Sequence, residues 1–132
     1  RPLGVEALLA GIAKNYRRVM FVGTSMGGFG ALSHSHLAHT VSVFGPQTDL
    51  CISHLRPGFS RTQLEQATAG MRRSVRRALG AGARVELHVA MEGHLVYARR
   101  LPLAPGGIIV HPFAGRVARQ LERQGLLLPL LA

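Results

Sequence analysis

The sequence predicts an α/β fold, a mostly parallel sheet of about four strands with helices on both faces. Short apolar, β-favouring runs alternate four times with segments of helical periodicity, as βα units require. One such run, Arg18 to Val22, leads through a glycine-containing turn into a small-residue helix start. Of the 132 residues, 47% are hydrophobic and 17% are charged, which is typical of one globular domain spanning residues 1–132.

The first part of the chain contains two predicted helices and two predicted strands. Apolar residues at i, i+3, i+4 and i+7 spacing predict an amphipathic helix over Leu3 to Tyr16. The run Arg18 to Val22 is apolar after its first residue, which predicts a strand buried on both faces. We expect a helix from Phe29 to about Leu37 and a second strand from Thr40 to Phe44, closed by Gly45-Pro46.

The second part begins with a loop over Gln47 to Ser60, followed by a helix over Thr62 to Leu79 that Gly80-Ala81-Gly82 ends. A third strand is expected over Arg84 to Met91. Its polar residues, Glu86 and His88, alternate with apolar ones, which predicts a less buried face, as at a sheet margin. The remaining predictions are a short helix over Leu95 to Leu101, a strand over Gly107 to Val110 and a helix over Ala114 to Gln124.

The turn after the first strand carries a G-x-S-x-G pattern from Gly23 to Gly27. A sharp strand-to-helix turn would expose the Ser25 hydroxyl at the carboxyl end of the strand. Side chains two residues on either side of that serine would collide, which gives a steric reason for glycine at both positions. Gly28, Gly30 and Ala31 would let the following helix lie close to the sheet.

The segment Gly23 to Leu32 resembles the nucleophile elbow of the α/β-hydrolase superfamily. Its longer form, S-M-G-G-x-x-A-L, is similar to that of many esterases and esterase-like bacterial domains. The resemblance implies a partial α/β-hydrolase fold, the carboxyl half from the elbow strand onward. It also implies an amino-terminally truncated chain, or one domain of a longer product, whose associated amino-terminal region completes the sheet.

The same resemblance implies a catalytic triad in the order Ser, acid, His. On this sequence the order is met by Ser25 as nucleophile, Glu92 after the third strand and His111 after the fourth. His111 would take the Ser25 proton, and Glu92 would hold the imidazole in the required tautomer. Asp49, after the second strand, is the alternative acid, and His94 is the alternative base.

The backbone N–H of Met26 is the expected oxyanion donor, because it follows the nucleophile directly. In the family a second donor comes from a loop after an earlier strand, which this chain does not contain. The expected reaction is hydrolysis of a small-molecule ester or thioester through an acyl-enzyme at Ser25, with no metal and no organic cofactor.

Two other function classes stay open. The first is a non-catalytic hydrolase-like module, since Phe44 to Gln47 and Leu126 to Leu131 are similar to hydrolase-like domains of bacterial proteins tied to cell-surface polysaccharide synthesis. The second is an arginine-rich anion-binding domain, because the net charge is +10. Nucleic acid is not the favoured partner, since the chain has no Trp and its aromatic residues do not interleave with the arginines.

Nucleotide and metal sites are poor matches to the sequence. No lysine follows the glycines as a Walker A loop requires, and the spacing does not supply G-x-G-x-x-G. A structural zinc site usually shows two clean ligand pairs, which the five candidate ligands do not form. These ligands are His34, His36, His39, Cys51 and His54.

The location of the protein is expected to be cytoplasmic. Its single cysteine, Cys51, cannot form an internal disulfide, which fits a reducing compartment. The first residues show no signal pattern, and the longest charge-free stretch, Val19 to Thr48, is broken by Gly, Ser, His and Pro. We therefore expect no membrane span.

Overall fold

The computed structural model describes residues 2–46, 48–50, 58–90, 101, 103, 107–112 and 116–131. These residues form one sheet of four parallel strands in the order β1-β2-β3-β4. The register pairs Thr24 with Phe44, Phe44 with His88 and Ala90 with His111, so the carboxyl ends of the strands meet at one edge of the sheet. The strands are β1 (Met20–Thr24), β2 (Thr40–Phe44), β3 (Arg84–Ala90) and β4 (Ile108–His111).

Helices precede and follow the strands as the alternating pattern predicts. A capping box begins the longest helix: the Ser60 hydroxyl accepts from the Gln63 N–H at 3.2 Å, and the Gln63 side chain accepts from the Ser60 N–H at 2.8 Å. Gly125 follows the fourth helix with φ +70°, as a glycine at C′ does. The helices are α1 (Pro2–Ala13), α2 (Ser25–Ser33), α3 (Arg61–Gly80), α4 (Val117–Arg123) and α5 (Leu127–Leu131), with a 3₁₀ turn over Ser35–Leu37.

Each face of the sheet has its own apolar cluster. Val43 and its neighbours on one face pack against α2 and α3, whereas Phe44 on the other face packs against Val117 and Leu121 of α4. Successive residues of a strand point to opposite faces, so Val43 and Phe44 belong to different clusters. The predicted fold class, a parallel sheet with helices on both faces, is confirmed.

The prediction that the first strand is buried on both faces is wrong. β1 is an outer strand of the described sheet, and the side chains of Met20 and Val22 are 40% and 47% exposed. Apolar composition predicts the strand correctly, but position in the sheet decides its burial. The side chains of Met20 and Val22 therefore lie open beside an edge of β1 that pairs with no strand among the described residues.

The prediction of a less buried face on the third strand is also wrong. β3 lies between β2 and β4, so both of its edges are paired, and its residues after Arg84 are buried on both faces of the sheet. His88 is fully buried and Glu86 is nearly so. The polar alternation that suggests a sheet margin belongs instead to a cluster of ionisable groups inside the fold.

The first predicted helix is confirmed, but its apolar stripe is not all buried. Val5, Leu8 and Ile12 are each half or more exposed. The helix is attached near its amino terminus, where Glu6 Oε1 lies 2.5 Å from His36 Nε2. Together with Met20 and Val22, these side chains make the β1 side of the molecule apolar.

The other boundaries differ by a few residues. α2 begins at Ser25 itself and ends at Ser33, where the 3₁₀ turn takes over, and α5 is not predicted from the sequence. The predicted Leu95 to Leu101 helix, and the loop over Gln47 to Ser60 for the most part, lie outside the described residues. No helix in the described part of the chain combines the length and the apolar character needed to cross a membrane.

Candidate active site at the Ser25 turn

Ser25 lies at the junction of β1 and α2. Thr24 is still extended, with φ −123° and ψ 143°, and Ser25 then adopts φ +49°. Among the described residues, Ser25 is the only non-glycine residue with a positive φ. Such a conformation costs on the order of 1–3 kcal/mol and persists only where its surroundings hold it. The turn leaves the Ser25 side chain exposed at the carboxyl end of β1, as the sequence predicts.

The backbone around this turn is tightly packed at two glycines. A Cβ on Gly23 would lie 2.5 Å from the carbonyl carbon of Gly27 and 2.7 Å from the nitrogen of Gly28. A Cβ on Gly28 would lie 2.8 Å from Cβ of Pro46, at the end of β2. At Gly27 and Gly30 a Cβ would meet nothing within 4 Å. The steric expectation is therefore confirmed for Gly23 and Gly28 and wrong for Gly27 and Gly30.

A cavity of about 590 Å³ lies beside Ser25. Its size falls within the range of about 300–1,000 Å³ that is usual for small-molecule sites. The Ser25 turn, the end of β2 and the helices α4 and α5 contribute to its lining, which is both apolar and charged. The main contributors besides Ser25 are Phe44, Val117, Leu127, Arg116 and Arg119.

Residues of β3 and β4 form a second group of reactive side chains, on the face of the sheet that carries Phe44. Nδ1 of His88 is 3.0 Å from Nε2 of His111, and the two rings are stacked with centroids 5.2 Å apart. The other side of His88 stacks on Phe44 at 4.5 Å. Glu86 Oε2 lies 3.3 Å from Nε2 of His88, outside hydrogen-bonding geometry, and its other carboxylate oxygen pairs with Arg84. The result is a line of groups from Glu86 through His88 to His111.

Burial lowers the pKa of His88 below its ordinary value, and the neighbouring His111 lowers it further, while the negative charge of Glu86 acts in the opposite direction. Burial also lowers the pKa of His111. Both imidazoles therefore favour the neutral form near neutral pH.

A neutral histidine carries one proton, so the pair must share its donors and acceptors. Because the Glu86 carboxylate attracts a proton to Nε2 of His88, we assign His88 Nδ1 as acceptor and His111 Nε2–H as donor. With this tautomer, the proton-accepting nitrogen of His111 is Nδ1.

The structure does not bring Ser25 and His111, the two described members of the predicted triad, into contact. The Ser25 hydroxyl makes no hydrogen bond to a histidine within the described ranges, and His111 contacts His88 instead. β2 and β3 lie between the strands that carry these two residues, a separation of three strand spacings or about 14 Å. The predicted acid Glu92 and the alternative base His94 lie outside the described residues.

The alternative acid, Asp49, has a different environment. Its carboxylate is buried and lies 3.8 Å from the Arg72 guanidinium of α3. The concave surface that it lines is formed with residues of α3, and Ser25 does not contribute to it. Met26, the expected oxyanion donor, is the second residue of α2 and directly follows Ser25.

The histidines of the first half have structural roles. His36 Nδ1 lies 2.7 Å from the Ser74 hydroxyl, and His39 Nδ1 accepts from the Val19 N–H at 3.0 Å. In the ranges that the structure describes, no three His, Cys, Asp or Glu side chains converge as a metal site would need. Cys51 and His54 lie outside those ranges.

Comparisons with known proteins add no relative to these observations. No family model matches the chain, and neither curated proteins nor solved structures give a significant match.

Sequence reasoning did not find Glu86 and His88 as members of a site. The sequence does contain a signal for them. Glu86 and His88 are two ionisable residues on the same face of the third strand, and four parallel strands are predicted in succession. If the strands follow one another in space, the third is interior. Ionisable groups on such a strand are then buried and need partners.

Proposed function

We propose that this protein is a serine-hydrolase-like domain that cleaves an ester or thioester through an acyl-enzyme at Ser25. The observation that carries the proposal is the conformation of Ser25, a strained φ of +49° at a strand-to-helix junction, with its exposed side chain lining a cavity. Strain of this kind, at a serine in a cavity, is typical of a positioned nucleophile.

The chemistry balances without a cofactor. Ser25 Oγ forms a bond to the carbonyl carbon of the substrate, and the bond from that carbon to the leaving oxygen or sulfur breaks. The Ser25 proton passes through a base to the leaving group. Water then attacks the acyl-enzyme, which releases the acid and restores the hydroxyl. The N–H of Met26, in the first turn of α2, would stabilise the negative charge on the carbonyl oxygen.

Two histidines are candidates for the base. His111 presents Nδ1 as its accepting nitrogen, and Glu86 with His88 can orient it in the way that the triad pattern assigns to Glu92. A general base must come within about 2.6–3.2 Å of the proton it removes, so His111 would have to approach Ser25 when substrate binds. His94 is the alternative.

A fluorophosphonate probe tests the nucleophile, because it reacts covalently with activated serines. The intact protein and its Ser33→Ala variant, which changes a serine at the other end of α2, should be labelled, whereas Ser25→Ala should not. Unchanged labelling of Ser25→Ala would falsify the assignment.

The contact between His111 and His88 supports a second candidate, a non-catalytic hydrolase-like module. In such a module the Ser25 turn would have only a structural role, and Nε2 of His111 would remain hydrogen-bonded to Nδ1 of His88 at 3.0 Å. A chain that unfolds cooperatively but is neither labelled by the probe nor active on esters would favour this candidate.

A further inference from the structure

The cavity beside Ser25 has a charged wall whose composition bears on the substrate. Arg116 directly precedes α4, and Arg119 lies in its first turn. Both line the cavity together with Ser25. Residues three apart in a helical turn lie on the same side, so the two guanidinium groups can act on one ligand.

The guanidinium groups of these two arginines differ from several others in having no partner among the described residues. Neither guanidinium forms an ion pair or a hydrogen bond there, whereas Arg61, Arg72 and Arg84 are each paired with a carboxylate. Other exposed arginines in the described part of the chain also have unpaired side chains, but among the described arginines Arg116 and Arg119 line the Ser25 cavity.

The remaining lining restricts the ligand further. Among the described residues, Glu122 is the third charged group that lines the cavity, so two positive charges there are opposed by one negative charge. That balance suits a ligand with one negative charge better than a dianion such as a phosphate monoester. Phe44, Val117 and Leu127 supply apolar surface for the rest of the ligand.

Building on the hydrolase function proposed above, we propose that the substrate is an ester or thioester whose acyl chain bears a carboxylate, bound by Arg116 and Arg119. The planar guanidinium fork matches the two oxygens of a carboxylate, which makes arginine suited to this recognition. With the carboxylate held at α4, the carbonyl carbon of the substrate lies at Ser25. Hydrolysis then releases a dicarboxylic acid and the alcohol or thiol.

A pair of chromogenic esters of equal chain length tests the proposal: p-nitrophenyl hemisuccinate, which carries the carboxylate, and p-nitrophenyl butyrate, which does not. The intact protein should show at least about 10-fold higher kcat/KM for the hemisuccinate, as expected for a hydrogen bond to a charged group. The double variant Arg116→Gln/Arg119→Gln should lose that preference. Arg123→Gln, which changes an arginine of α4 outside the cavity lining, should keep it.

Binding without turnover separates this inference from the proposed reaction. Calorimetric titration of Ser25→Ala with monomethyl succinate should show binding that the added double arginine substitution abolishes, and methyl butyrate should bind at least about 10-fold more weakly. If binding depends on the two arginines but neither ester is hydrolysed, the hydrolase function is overturned and the carboxylate-binding site stands. Equal kcat/KM for both esters, unchanged in the double variant, overturns the carboxylate site and leaves the hydrolase. If monomethyl succinate does not bind and neither ester is hydrolysed, both the carboxylate site and the hydrolase function are overturned.

Discussion

Replacing Gly23 by alanine tests whether tight backbone packing holds the Ser25 turn. The added Cβ would lie 2.5 Å from the carbonyl carbon of Gly27 and 2.7 Å from the nitrogen of Gly28. Non-bonded carbon atoms pack best at about 3.5–4.0 Å, so the backbone of β1 or α2 must move by about 1 Å. Overpacking of this kind costs about 1–3 kcal/mol, and we expect the upper part of that range because the opposing atoms belong to the backbone.

Gly27→Ala is the matched control, because the added Cβ there meets nothing within 4 Å. Alanine at this position of α2 should leave the free energy of unfolding unchanged, or raise it by up to about 1 kcal/mol through helix propensity. Urea unfolding of the two variants and the parent chain, followed by circular dichroism, measures the difference. If Gly23→Ala unfolds at the same urea concentration as Gly27→Ala, the steric account of the turn is wrong.

Three further predictions concern the histidine pair and the sheet edge. His111→Ala should lower ester hydrolysis by about 10²–10⁴-fold, measured as kcat/KM, and full activity would move the base to His94. The free energy of unfolding should be retained above pH 6.5 and fall as the pH drops below it, because the folded-state pKa of His88 lies below its ordinary value of 6.5 and the unfolded chain then binds more protons. Urea midpoints from pH 8 to pH 5 measure this dependence, and an equally steep one in His88→Asn would contradict the assignment. Because β1 is an outer strand with exposed apolar side chains, we expect the chain to self-associate through it and Val22→Lys to reduce that association, measured by sedimentation velocity; association that Val22→Lys leaves unchanged would place the contact elsewhere.

The sequence predicts the elements of this fold well because the evidence for them is local. The second strand has the predicted bounds, Thr40 to Phe44, since Gly45-Pro46 ends it at once. The turn at Ser25 is also recoverable, because glycine spacing and a strained serine follow from a local steric conflict. The reactivity of Ser25 is not a local property, since it depends on which base reaches the hydroxyl.

Burial was predicted less well, because it depends on the neighbours that a strand acquires in the sheet. An apolar strand and a half-polar strand exchange their expected environments here: β1 with Met20 and Val22 is outer, and β3 with Glu86 and His88 is interior. No pattern within either strand carries its position in the sheet. The order of the strands along the chain predicts that β1 lies near one end of the sheet, and the structure confirms this.

The buried ionisable line is the feature that hydrophobic packing alone does not explain. Burying Glu86 and His88 carries a desolvation cost, and an apolar pair at those positions would pack against α4 without it. Ionisable groups with a shifted pKa, such as His88, concentrate at functional sites, although structural networks also contain them. Their position favours the functional explanation, because Phe44 stacks on His88 at 4.5 Å and also lines the Ser25 cavity. The Phe44 ring thus contacts the imidazole of His88 and also lines the cavity in which we place the substrate. A substitution of Phe44 would therefore alter both the histidine pair and the cavity.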